Sequence, residues 1–255
     1  MKQHVPVDGT DHETVLACGA LLFDLDGVLV DSLAAIIRAM SAWAAERGLD
    51  PDTVVRLSHG KRDVDLIASV APHLDPQREA LRIQEHDERE MPSLRPVPGA
   101  AALIAALPQD RWAIVTSGSS RIARARLAAA GLPEPSNLVT ADSVERGKPD
   151  AQGYRIAAAR LGVEAWDCVV VEDAPSGWEA ARRGGMACVA VGQATEDPRV
   201  TASVRDLRQV RAAVDADTGG LVVRIGGGPG GTHQPARPRP VAELNGIRGE
   251  DGNSC

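Results

Sequence analysis

Four short apolar runs, at residues 19–23, 112–116, 168–171 and 187–191, constrain this chain more than any other feature. Each is too short for a helix and apolar on both alternating faces, as in a parallel strand covered on both sides. Between them lie Ala- and Arg-rich segments of helical length, among them 120–130 and 151–161, which stop at Gly131 and Gly162. A glycine there can take the left-handed conformation that closes a helix. Strand and helix in alternation require right-handed crossovers, and so predict an α/β fold with a doubly wound parallel sheet.

Residues 33–94 break that alternation. Helical periodicity covers 33–47, with Leu33, Ile36, Ile37, Met40 and Ala44 on one stripe, then 63–70 and 76–90. Pro92, Pro96, Pro98 and Gly99 read as a linker back to the α/β part. Such an insertion is a candidate lid, or else a helical subdomain without catalytic purpose. The expected organisation is a flexible N-terminus over 1–17, a core over 18–32 and 95–225, a small helical cap over 33–94, and a tail over 226–255. Residues 210–214 and 221–225 flank the turn-rich DADTGG and read as a terminal hairpin. The Gly/Pro-rich tail has too few apolar residues to offset ordering entropy and reads as disordered.

Composition narrows the partners. A net charge of −7 and 2% aromatic residues favour neither nucleic acid nor an anionic membrane, and argue against an aromatic base-stacking surface. The four cysteines form no C-x-x-C pair, and Cys168 and Cys188 fall inside apolar runs, as inert buried thiols do. No apolar stretch reaches the ~20 residues of a membrane span, and MKQHVPVDGTDHET is polar. A cytoplasmic protein is expected, with a monomer as the default.

The richest stretch is ALLFDLDGVLVDS, residues 20–32. The strand ends in Asp24 and Asp26, two positions apart on one side of an extended chain, and Gly27 permits a tight turn. Carboxylates gathered at a strand end repel unless a cation lies between them, and hard Mg²⁺ suits carboxylate and phosphate oxygens. Asp24 could then attack phosphorus while Asp26 protonates the leaving oxygen and later activates water. A solvated acidic turn is the plain alternative. Three further pieces at strand ends, where α/β sheets bind ligands, weigh against it. In WAIVTSGSS (112–120), Thr116 ends a strand and Ser117 and Gly118 lead into a helix. A hydroxyl and free backbone N–H groups there can cradle phosphate, although a Ser/Thr helix cap looks the same. In GKPD (147–150), Lys148 could steady the nucleophile and neutralise phosphoryl oxygens, where a lone loop lysine is ordinarily solvated. In VVVEDAPSG (169–177), Glu172 and Asp173 can complete the Mg²⁺ site, one directly and one through water, or merely form an acidic turn.

Together the motifs DLDGVLVDS, VTSGS, RGKPD and VVVEDAPSG resemble those of cap-bearing phosphatases in the haloacid-dehalogenase-like hydrolase superfamily, over roughly residues 18 to 225. The resemblance implies a Rossmann-like core, Asp24 as phosphorylated nucleophile, Asp26 as general acid/base, and Thr116 and Lys148 as phosphate ligands. It also implies Mg²⁺ held by Asp24, the Asp26 backbone carbonyl and Asp173. SHGKRDVDLIASVAP, VPGAAALIAALP, SGSSRIARARLAAAGLP and LVTADSVERGKPD are most similar to the 2-deoxyglucose-6-phosphatase and glycerol-3-phosphatase group. Two departures stand out: Trp178 where a small aliphatic residue is expected, and Asp150-Ala151 in place of Asp/Glu-Pro.

Phosphoryl-binding motifs hardly see the rest of a substrate, so the cap is expected to supply specificity. His59, Gly60, Lys61 and Arg62, a polar turn between cap helices, could hydrogen-bond sugar hydroxyls or phosphate; a solvated turn is the alternative. Glu85 and His86 are weaker candidates. The expected activity is Mg²⁺-dependent hydrolysis of small phosphorylated sugars or polyols. Its rivals are a hexose-phosphate mutase resembling β-phosphoglucomutase, whose cap motif KGVSR differs from HGKRD here, and a non-catalytic phosphometabolite-binding protein. A dehalogenase needs neither the Asp26 carboxylate nor the Glu172–Asp173 pair.

Overall fold

The first apolar run forms a strand, but another strand precedes it. The computed structural model describes residues 13–192 and 194–226, and in it β1 (Thr14–Cys18) is followed directly by β2 (Ala20–Phe23). The chain then passes through β3 (Val30–Asp31) into four helices, α1 (Leu33–Glu46), α2 (Pro51–Ser58), α3 (Asp63–Val70) and α4 (Pro76–Glu90), and returns through β4 (Arg95–Pro96). After α5 (Ala100–Ala105) come β5 (Trp112–Val115), α6 (Ser120–Ala129), β6 (Leu138–Val139) and α7 (Gln152–Leu161). β7 (Cys168–Glu172), α8 (Pro175–Gly184), β8 (Ala187–Val191) and β9 (Ala202–Val204) complete the alternation, and β10 (Val210–Val214) and β11 (Leu221–Ile225) close the chain.

Six strands form one sheet in the order β6–β5–β2–β7–β8–β9, every pairing parallel. The chain works outward from β2 to β5 and β6, then crosses to β7, β8 and β9 on the other side. The strand order therefore reverses beside β2, and the crevice at such a switch point is where open α/β sheets bind ligands. The strands are buried on both faces, as the short apolar runs require. Leu21 and Phe23 pack with Leu103 and Leu127 of α5 and α6 on one face, while Ala20 and Leu22 pack with Tyr154 and Trp178 of α7 and α8 on the other.

Residues 14–17 are not a flexible end. β1 pairs antiparallel with β11, Thr14 opposite Ile225 and Cys18 opposite Leu221, so the hairpin of β10 and β11 becomes a three-stranded sheet. Only Gly19 separates β1 from β2, which hides the boundary between two short apolar runs. Residues 1–12 of the expected N-terminal segment, and 227–255 of the expected tail, lie outside the described residues.

The four helices carry an apolar core of their own, in which Trp43, Leu66, Ile67 and Ile83 are fully buried. Glu79 Oε2 accepts hydrogen bonds from Trp43 Nε1 at 2.8 Å and Arg47 Nε at 2.7 Å, so the buried indole N–H is satisfied. Apolar periodicity misses α2, because only Val54 and Ser58 of its eight residues are buried. Its signal is a capping one: Asp50 accepts from the Thr53 N–H and Pro51 opens the helix, a pairing repeated at Asp75–Pro76 ahead of α4. The stripe read on α1 divides. Met40 and Ala44 join the helical core, whereas Leu33 and Ile37 are 36% and 47% exposed beside a cleft. The segment enters and leaves through paired strands, Val30 opposite Pro96 and Asp31 opposite Arg95.

Cys18, Cys168 and Cys188 are free and buried, and burial pushes the first two thiols up to about 12. No helix among the described residues is long and apolar enough to cross a membrane.

Candidate active site

Asp24 follows directly on β2, and its N–H donates to Val171 O of β7 at 2.9 Å, which fixes it at the central seam of the sheet. Lys148 reaches the same point from the loop before α7, its Nζ 2.7 Å from Asp24 Oδ1 and 2.5 Å from Glu172 Oε1. Glu172 has no exposed surface; Oε1 also accepts from Tyr154 OH at 3.2 Å and Oε2 from the Ala174 N–H at 2.8 Å. Its carboxylate is thus committed to orienting Lys148 and the turn after β7. Asp24, Glu172 and Asp173 each offer a carboxylate oxygen within 4.8 Å of the other two. Gly27 permits this crowding: its φ is +76°, and a methyl group there would strike the Asp173 carboxylate.

The charges do not balance. Burial, with Glu172, Asp173 and Asp26 nearby, pushes the Asp24 carboxyl well above the usual range in spite of Lys148. Burial and Glu172 likewise push Asp173 up to about 6, against the hydrogen bond from His59. For Lys148 burial works against the charge, but Asp24 and Glu172 outweigh it and raise the pKa. Three carboxylates facing one ammonium group leave excess negative charge in a buried, all-oxygen donor set. That set suits a hard divalent cation, and Asp24 and Asp173 each have an oxygen uncommitted among the described residues.

Asp26 faces another partner. Its Oδ1 accepts from Ser32 Oγ at 2.6 Å, and its Oδ2 pairs with Arg126 Nη1 at 2.7 Å. Arg126 Nη2 lies 2.9 Å from Asp87 Oδ1, so one buried guanidinium on α6 ties Asp26 to α4. Sequence reasoning does not find Arg126 or Asp87, nor Ser32 and Tyr154. A signal exists for the first two. Arg126 lies on the buried stripe of Ile122, Ala123 and Leu127, and Asp87 on that of Ala80 and Ile83, and a charge on an apolar stripe needs a buried partner.

Thr116 follows β5 and is buried, but the amide expected to stand free beside it is taken: the Gly118 N–H donates to Thr116 Oγ1 at 3.0 Å. In so tight a turn a hydroxyl competes for the amide two residues on. Ser117 Oγ donates to Gly60 O at 2.9 Å, joining this loop to the turn between α2 and α3. In that turn His59 Nε2 lies 3.1 Å from Asp173 Oδ2, a hydrogen bond that raises the His59 pKa. Lys61 lines the cleft, but Arg62 does not; its guanidinium is drawn to Asp65 and to the carbonyls of Val144 (2.9 Å) and Glu145 (3.0 Å). Glu85 and His86 also turn elsewhere, to Arg82 at 3.0 Å and Glu46 at 3.1 Å. Trp178 is buried under β7, its Nε1 donating to Glu172 O at 3.3 Å, so this departure braces the strand end.

Above Asp24 and Asp173 opens a cleft of about 330 Å³. The sheet side contributes Asp26, residues 116–119 and Arg126; the helices contribute His59, Lys61, Asp63, Asp87 and the apolar residues of α1.

The sequence profile of the haloacid dehalogenase-like hydrolases matches residues 18–185. Hexitol phosphatase A of Escherichia coli (strain K12) is 41% identical over 190 residues, 72% of this chain and 88% of that protein. 2-Deoxyglucose-6-phosphate phosphatase 1 of Saccharomyces cerevisiae (strain ATCC 204508 / S288c) is 30% identical over 233 residues, 80% of this chain and 94% of that protein. Among solved structures, β-phosphoglucomutase from Clostridium difficile has a TM-score of 0.67 at 19% identity, over 75% of this chain and 92% of that one, a likeness of fold alone. A matched profile, close relatives and a carboxylate–lysine cluster at the switch point of a parallel sheet agree: the chain belongs to the haloacid dehalogenase-like hydrolases.

Proposed function

We propose that this chain is a Mg²⁺-dependent phosphatase of small phosphorylated sugars or polyols, working through an aspartyl phosphate on Asp24. The observation that carries the reading is Lys148 Nζ held between Asp24 and Glu172, with Asp173 in the same cluster and a cleft above. Asp24 attacks phosphorus as the bond to the substrate oxygen breaks, and Asp26 gives that oxygen a proton. Water, deprotonated by Asp26, then attacks phosphorus, freeing phosphate and restoring Asp24. Lys148, the Thr116 hydroxyl and the Ser117 N–H hold the phosphoryl oxygens, Gly118 braces Thr116 through its own N–H, and Glu172 keeps Lys148 in place. Asp24, Asp173 and the Asp26 carbonyl would hold Mg²⁺, which offsets the charge of the phosphoryl group when bound.

In this reading residues 33–94 form a cap that excludes water while Asp24 is being phosphorylated. His59 belongs with the phosphoryl end, through Asp173, and Gly60 and Lys61 line the entrance. The relatives named as phosphatases support hydrolysis over mutase chemistry, since the mutase likeness is of fold. A cytoplasmic location is the companion proposal, supported by the free, buried thiols of Cys18, Cys168 and Cys188, and a monomer is the default proposed with it.

The test is phosphate release from p-nitrophenyl phosphate and sorbitol 6-phosphate, with no bisphosphate activator, before and after chelation of Mg²⁺. Turnover is expected only with the metal, and Asp24→Asn is expected to lower it about 10⁴-fold or more. Undiminished turnover in Asp24→Asn removes the reading.

A further inference from the structure

With a phosphoryl group fixed at Asp24, the rest of a substrate has to run along the cleft toward α1, α3 and α4. Most polar groups on that path are already paired: Asp26, Arg126 and Asp87 hold one another. Asp63, the first residue of α3, lines the same cleft half-buried and has no hydrogen-bond or ion-pair partner among the described residues. Burial and the neighbouring Asp87 push its carboxyl up to about 7, with Arg126 pulling the other way. Arg56 and Lys61 also line the cleft, and neither forms an ion pair with Asp63.

A half-buried carboxyl without a partner costs desolvation free energy, which is recovered when a ligand supplies the missing hydrogen bonds. Two oxygens in one plane match two adjacent hydroxyls, and a carboxyl near neutrality can both accept from and donate to them. Leu33, Ile36, Ile37 and Met40 of α1 give the same cleft an apolar side, suited to the C–H bonds of a polyol or sugar. A second anionic group on the ligand meets Asp63 and Asp87 instead, where Arg126 is already shared.

Resting on the phosphatase reading, we infer that Asp63 is a specificity-determining residue, selecting neutral polyhydroxylated phosphate monoesters and rejecting those with an anion at the far end. The inference narrows the substrate class and gives a physical reason against a bisphosphorylated intermediate lying in this cleft.

The experiment measures kcat/KM of the Mg²⁺-loaded full chain on sorbitol 6-phosphate, 6-phosphogluconate and p-nitrophenyl phosphate. The first two share a six-carbon chain and differ by a carboxylate at the far end. The wild type is expected to prefer sorbitol 6-phosphate at least about tenfold. Asp63→Asn is expected to lower kcat/KM on sorbitol 6-phosphate about tenfold or more relative to p-nitrophenyl phosphate, mainly through KM, and to narrow the preference over 6-phosphogluconate. Asp63→Ala should give the same ranking. Asp65→Asn, on the same helix but paired with Arg62, should move neither ratio. Equal use of the two six-carbon substrates by the wild type, or unchanged ratios in both Asp63 variants while p-nitrophenyl phosphate is still turned over, overturns the role of Asp63 alone. No phosphate release from any substrate removes the phosphatase reading and this inference with it.

Discussion

At the sheet end of the cleft, Asp24, Lys148, Glu172 and Asp173 stand on strand ends or a loop beside them, and backbone hydrogen bonds between parallel strands fix their spacing. At the helix end, Asp26, Arg126 and Asp87 are assembled across a turn, α6 and α4, and ion pairs through Arg126 join the three. Both clusters set carboxylates around a buried cation, Lys148 in one and Arg126 in the other. They differ in what positions them: the sheet end is placed by the backbone before any side chain acts, and the helix end depends on side chains finding each other. The first gathers three carboxylates around one ammonium group, while in the second two carboxylates share one guanidinium that ties α4 to α6.

The largest effect that would break this comparison is on turnover. Lys148→Ala is expected to lower kcat by about 10²- to 10³-fold, the loss typical of removing one preorganised electrostatic group. A loss below tenfold in steady-state assays would make Lys148 a structural counter-ion and erase the contrast. The next effect is on stability. Arg126→Met leaves the buried Asp87 without its cation and Asp26 with Ser32 alone, expected to cost about 3–5 kcal/mol in denaturant unfolding. Adding Asp87→Asn to that variant should recover part of the loss; no recovery would mean that the pair does not bind α4 to α6. The smallest is a pH effect at Asp63, whose carboxyl is raised to about 7. The folded state keeps this proton between roughly pH 4 and 7 while the unfolded chain gives it up, so stability falls as pH rises through that window. Asp63→Asn should then raise Tm by about 2–4 °C at pH 8 and leave it unchanged at pH 4, read by thermal melts. Equal shifts at both pH values would show that Asp63 is not desolvated.

The same contrast explains what could be read from the sequence. Asp24, Thr116 and the Glu172–Asp173 pair each end an apolar run, and a charge or hydroxyl at the end of a buried strand is visible as a change of composition along the chain. The alternation of runs and helices made the parallel sheet legible for the same reason. Lys148 was legible only through its company with the other motifs. Arg126 and Asp87 were not read, because each looks like one more charged residue on a helix until the neighbouring apolar positions are seen to share its face. A turn between helices offers no clue to which carbonyls a guanidinium will reach, and Arg62, expected at the cleft, turns to Val144 and Glu145. β1 was missed because its partner, β11, lies two hundred residues away in the chain. Non-local pairing leaves no local trace beyond a short apolar run.

The ribbon of β3 and β4 brings the two crossings between sheet and helices side by side, Val30 against Pro96 and Asp31 against Arg95. Chain entering the helical segment leaves it again at nearly the same place, and the segment's other ties to the sheet side are made by side chains, as at Asp87–Arg126 and Gly60–Ser117. Because the two ends stay paired, a change of helix length between them leaves β2 where it is so long as the Arg126–Asp87 pair is kept. On the proposed reading, recognition can diversify on one side of that ribbon while the chemistry on the other side stays as it is.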